Sequence, residues 1–62
     1  MKLNKKAIDL IRAEKQIEAR ELIQGSCISS ATLYAGYKKD IDPLAVGRIA
    51  KTLQVNITDI IQ

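Results

Sequence analysis

The 62-residue sequence contains no histidine, tryptophan or phenylalanine, and only one cysteine, one proline and three glycines. A lone Cys27 excludes an internal disulfide. With no histidine beside it, neither a His-containing zinc site nor a thiolate cage can be assembled, so no metal is expected. No apolar run approaches the ~18 residues that cross a bilayer, and no hydrophobic signal core follows the basic start MKLNKK. No nucleophile–base pair and no glycine-rich phosphate loop occurs. The expectation is therefore a non-enzyme without cofactor or small-molecule substrate. The unpaired cysteine suits a reducing compartment, so the expected location is cytoplasmic.

What is present is aliphatic. Apolar residues make up 47% of the chain, while its aromatics are two tyrosines. That suits a small helical core in a single domain over residues 1–62. A chain of this length buries only ~60% of the surface it exposes when unfolded, so close packing or self-association has to supply stability. The net charge of +3 is unevenly spread. Residues 1–15 carry five cations and two acids, and residues 29–39 add Lys38 and Lys39 with no acid. Two basic regions thus flank a mildly acidic remainder, which is either an electrostatic footprint for a polyanion or an ordinary solvated surface.

Five segments have helical period, and no alternating run marks a strand. The first spans about Asn4 to Lys15, with Asn4 as cap and Ala7, Ile8 and Ile11 on one face. The second spans about Glu18 to Gln24 and the third Ser29 to Tyr37. The fourth opens at Asp42-Pro43, a cap followed by proline at the first helical position, and its buried stripe is Val46, Ile49, Ala50 and Leu53. The fifth is a short helical turn from Ile57 to Ile61 behind Asn56. An apolar residue just before a cap can pack on the fourth helical residue. That pair recurs as Ile17 with Leu22, Ile28 with Leu33, Ile41 with Val46 and Val55 with Ile60. Glu18 is the poorest of the four caps.

The second and third segments are joined by GSCI, a tight link with glycine between a helix and a capped helix. This is the pattern of a helix-turn-helix, whose second helix enters the DNA major groove. The outward positions of the third segment are Ser30, Ala31, Tyr34 and Ala35. A helix entering a groove cannot present bulky acids to phosphate. Ser30 and Thr32 can bond bases or phosphates, Ala31 can touch a thymine methyl, and Tyr34 can stack or bond. Lys38 and Lys39 can reach phosphates. The bland alternative is a surface helix whose small residues pack on a neighbour.

From Arg12 to Ile61 the chain resembles the lambda-repressor-like, Cro/cI-type (XRE) helix-turn-helix family. The motifs that carry the resemblance are IRAEK, ELI, ISSATL, DP, IAKTLQV and NITDII, at matching spacing and without gaps. The resemblance implies an all-α bundle of five short helices. It further implies sequence-specific double-stranded DNA binding as a homodimer on a two-fold operator, and repression of transcription, as on phages and mobile elements. By position, Ser29 would cap the reading helix. Ser30, Ala31 and Tyr34 would face bases, with Ala35 nearby and Thr32 half-buried or on phosphate. Lys38 would meet phosphate, and Arg12 and Lys15 would lie near the DNA backbone or pair with acids at the edge of the core.

The chain departs from that pattern at Glu18 for the usual Ser or Thr, and at Ala19 for a phosphate-bonding glutamine. It departs again at Ile23 for a small alanine, Cys27 for the turn glycine, Gly36 for a large apolar residue and Tyr37 for glutamate. Ile23 and Gly36 read as a compensating size exchange. Cys27 reads as a small packing residue, or as a thiol whose oxidation would alter DNA contact. The basic start is either a solvated helix end or a reach to a neighbouring phosphate. Ile57, Ile60 and Ile61 either close the monomer's core or join a second chain through the last two helices. The rival to a DNA-binding regulator is a helical protein-interaction module, such as an antitoxin or accessory regulator, and Ala19 and Tyr37 favour it.

Overall fold

The computed structural model describes residues 1–62. Four α-helices follow one another: α1 (Lys5–Lys15), α2 (Ala19–Ser26), α3 (Ser30–Lys38) and α4 (Pro43–Leu53). A single 3-10 turn, Ile57–Asp59, stands where a fifth helix is expected. The reason lies in the backbone just beyond it. The Ile60 carbonyl accepts from the Asn4 N–H at 2.8 Å, and Ile61 pairs with Leu3 in an antiparallel bridge. Groups that would continue a helix are thereby committed to the N-terminal segment.

The helix starts follow local chemistry. Asn4 Oδ1 accepts from the Ala7 N–H at 3.1 Å, Ser29 Oγ from the Thr32 N–H at 3.1 Å, and Asp42 Oδ1 from the Leu44 N–H at 2.9 Å. At α2 the poor cap Glu18 is assisted by Glu21, whose carboxylate accepts the Glu18 N–H at 3.1 Å. This is one half of a capping box. Leu22, Leu33, Val46 and Ile60, the inner members of the four apolar pairs, are all buried. Ile17, Ile28, Ile41 and Val55 pack half-buried against the same cluster.

α1 ends at Lys15 as the sequence leads one to expect, while α2 and α3 run on to Ser26 and Lys38. Gln16, Cys27 and Gln54 close α1, α2 and α4 in the left-handed region, at φ 55, 57 and 59. No glycine has a positive φ. α2 continues through Gly25 and Ser26, so the link to α3 is only Cys27, Ile28 and Ser29. Gly25 serves a close approach instead, since a Cβ there would stand 2.8 Å from Thr52 Cγ2 on α4.

α4 is the hub of the core. Ala45, Val46, Ile49, Ala50 and Leu53 are buried along it, and α2 packs beside it. Ile8, Leu22, Leu33 and Ile60 complete the cluster from the surrounding elements. The remaining member is Leu3, with no exposed surface, from the basic start, which neither a solvated helix end nor a reach to phosphate would bury. Its N–H donates to the Gly36 carbonyl at 2.8 Å. The Met1 carbonyl accepts from Ile41, and the Lys2 carbonyl from Gln62. The space opened by Gly36 is filled by Leu3 and Ile41, whose Cδ1 atoms lie 2.7 and 2.9 Å from where a Cβ would be. The partner of the small residue at 36 is therefore the N-terminal segment, and Ile23 is not among its nearest neighbours. No helix is long and apolar enough to cross a membrane.

Candidate nucleic-acid interface

α3 is fixed by its inner face. Leu33 and Gly36 are buried, Tyr37 packs half-buried on the core, and Ser29 closes the first turn. Helical spacing then brings positions 30, 31, 34, 35 and 38 to the outer face. Ser29, Ser30, Ala31, Tyr34, Lys38 and Lys39 are exposed, and Tyr34 retains 52% of its surface. Ala35 and Thr32 are half-buried. The Thr32 hydroxyl stands 2.9 Å from Ser29 Oγ and so belongs to the cap. Lys39 follows the last helical residue in extended backbone, at φ −149. The residues singled out from sequence thus form one patch along and just past α3, with Thr32 and Ala35 at its edge.

The patch carries no carboxylate of its own, and neither Lys38 nor Lys39 has an ion-pair partner. The next residue, Asp40, pairs with the N-terminal amine at 3.6 Å. The Ser30 and Ala31 N–H groups at the start of α3 have no acceptor within the helix, which is the general property of a helix N-terminus.

Arg12 and Lys15 serve the fold. Arg12 donates to Asp9 at 3.3 Å and to the Ile17 carbonyl at 3.1 Å, holding the α1–α2 link. Lys15 donates to the carbonyls of Leu53 and Gln54, where a cation complements the negative end of α4. Cys27 is exposed, so it is the chain-reversing residue after α2 and does not pack in the core. Arg48 and Lys51 line an open groove between α2 and α4 with Gly25, Ser26, Cys27 and Thr52, and they also have no acidic partner. Arg20 and Glu21 are solvent-facing, as expected. Ile60 is fully buried and Ile57 and Ile61 pack half-buried on the core, so much of the C-terminal isoleucine set closes the monomer itself.

Beside the patch lies a cluster that sequence reasoning did not assemble. Tyr34 meets Tyr37 edge-to-face, with centroids 6.0 Å apart. The Lys5 ammonium on α1 sits 5.8 Å from the Tyr37 centroid and bonds Asp9 at 2.7 Å. Burial, and then the Asp9 charge, raise the Tyr37 hydroxyl above the usual pKa of 10.0, with Arg12 opposing. The spacings Lys5–Asp9 (i,i+4) and Asp9–Arg12 (i,i+3) were a legible signal of the ion-pair chain. The contact of α1 with Tyr37 was not.

No group of three His, Cys, Asp or Glu side chains stands close enough to hold a metal ion. The arrangement offers directional hydroxyls, one exposed aromatic, small contact surface and free cations, which is chemistry for recognition of an anionic surface. The chain matches no family model, no curated protein and no solved structure.

Proposed function

We propose that the protein is a sequence-specific double-stranded DNA-binding regulator of transcription. We read it as a Cro/cI-like repressor of a phage or mobile element, acting in the cytoplasm as a homodimer on a two-fold operator. α2 and α3 with their short link act as the helix-turn-helix, and α3 is the reading helix. Ser30, Ala31 and Tyr34 meet base edges, while Lys38 and Lys39 meet phosphates. Ser29 and Thr32 hold the first turn in shape, and Ala35 gives close approach at the edge of the contact.

The observation that carries this reading is the outer face of α3. It is exposed, small and hydroxyl-rich, free of carboxylates, and followed by two unpaired lysines. A helix selected only for solvation would carry long charged side chains there. The expected test result is enrichment of a two-fold symmetric motif when purified protein selects from a random duplex library at moderate salt. Half-sites about 34 Å apart correspond to one helical turn. In that motif Tyr34→Ala changes the preferred bases or weakens specific binding more than nonspecific binding. A folded protein that enriches nothing overturns the reading in favour of a protein-interaction module, for which the exposed Leu10 and Leu44 are the available apolar contacts.

A further inference from the structure

The first turn of α1 opens with Lys5 and Lys6 and contains no acid. Helix physics disfavours this, because the positive end of the helix dipole repels cations placed there. The pairing of Lys5 with Asp9 also runs in the weaker direction, with the cation nearer the N-terminus than the acid. Lys5 is 61% exposed and Asp9 40% exposed, so the pair contributes little to holding the fold together. The Lys5 ammonium is nonetheless directed by two contacts, Asp9 at 2.7 Å and the face of Tyr37 at 5.8 Å. Tyr37 in turn touches Tyr34, the exposed aromatic on the reading face. One aromatic pair therefore connects a lysine on α1 to the centre of the α3 patch.

We propose that Lys5 is a further DNA contact, exchanging Asp9 for a backbone phosphate that flanks the bases met by Tyr34. This rests on α3 being the reading helix. The Tyr37 ring holds the Lys5 ammonium beside α3, and Asp9 acts as a positioning residue that occupies the ammonium until phosphate takes it. Asp9 also faces Arg12, so its charge stays compensated after the exchange. Because phosphate carries no sequence information, the contact strengthens all duplexes alike and sets how the protein lies along the groove.

The experiment measures duplex affinity against salt for the whole chain and for Lys5→Ala and Asp9→Asn, with helicity followed by circular dichroism. Loss of one phosphate contact flattens the log–log salt slope by about 0.9. The expected result for Lys5→Ala is that loss on specific and nonspecific duplex alike. Asp9→Asn leaves Lys5 free and removes a surface negative charge, and it is expected to raise affinity several-fold at low salt, an increase that shrinks when Lys5→Ala is added. A wild-type chain that binds no duplex overturns both this inference and the regulator reading. A wild-type chain that binds, with the slope unchanged in Lys5→Ala, overturns this inference alone. Unchanged or weakened binding in a folded Asp9→Asn protein overturns the exchange.

Discussion

Cys27 stands at φ 57 with its side chain in solvent. A left-handed conformation costs a residue with a Cβ about 1–2 kcal/mol, and glycine almost nothing. Cys27→Gly removes no buried contact, but it loosens the unfolded chain, which offsets part of the gain. Taking both effects together, it should stabilise the protein by up to about 1 kcal/mol, seen as a rise of several degrees in Tm. Tyr37 gives a prediction of opposite character. Its hydroxyl pKa is raised on folding, so the native state binds the proton more tightly than the unfolded chain does. The associated stability is present below the unfolded pKa and is lost as pH climbs past about 10. Alkaline titration of tyrosinate absorbance should show a late-ionising group that is missing in Tyr37→Phe, and that variant's stability should fall less over the same range.

The N-terminal segment, Met1 to Asn4, is the element whose role is least evident from its residues. It bonds α3 through Gly36, the α3–α4 link through Ile41, and the C-terminal end through Ile60 and Gln62. Gly36 makes room for this. An alanine at 36 gains ~1 kcal/mol of helix propensity, but over-packing a filled core costs ~1–3 kcal/mol. Leu3 is fully buried, and both its Cδ1 and the Ile41 Cδ1 would have to shift within the filled core, so the second effect prevails. Gly36→Ala should lower stability by about 1 kcal/mol in denaturant unfolding, and a rise would show that the segment yields easily. Removing the Leu3 side chain should cost about 2–5 kcal/mol. That is most of what a domain this small has, so Leu3→Ala should be largely unfolded near physiological temperature.

The whole molecule exposes 4063 Å². The scaling for folded monomers gives ~4000 Å² for a chain of this mass, so it covers its core as an independent unit. Nine core residues from every α-helix, the N-terminal segment and the C-terminal end form that unit, and the single cysteine is free. The expected consequence is a Tm that does not change with protein concentration when DNA is absent, since only association of the native state makes it do so. A Tm that rises steadily with concentration would instead mean that folded copies associate without DNA. Pairing on a two-fold operator needs no such association, because two independently folded copies can meet on the duplex.

The helix starts, the α4 stripe and the composition of the α3 outer face were legible in the residues alone. Each depends on side chains within a few positions of one another: a cap oxygen and an N–H, an apolar repeat, an absence of acids. What escaped depends on contacts distant in sequence. Gly25 looks like a turn residue but lies inside α2, where α4 approaches too closely for a Cβ. Gln16 and Gln54 take left-handed positions that composition assigns to glycine, whereas the left-handed turn at Cys27 was signalled by its standing in place of the turn glycine. The small residue at 36 is matched by Leu3, thirty-three positions earlier. The C-terminal helix stops at one 3-10 turn because its backbone is claimed by the N-terminal segment. Local chemistry, read from the sequence, determined where helices begin and which face of α3 is free. Only the tertiary structure decided how chain ends and glycines close the core, because the space each residue must fill is made by residues far along the chain.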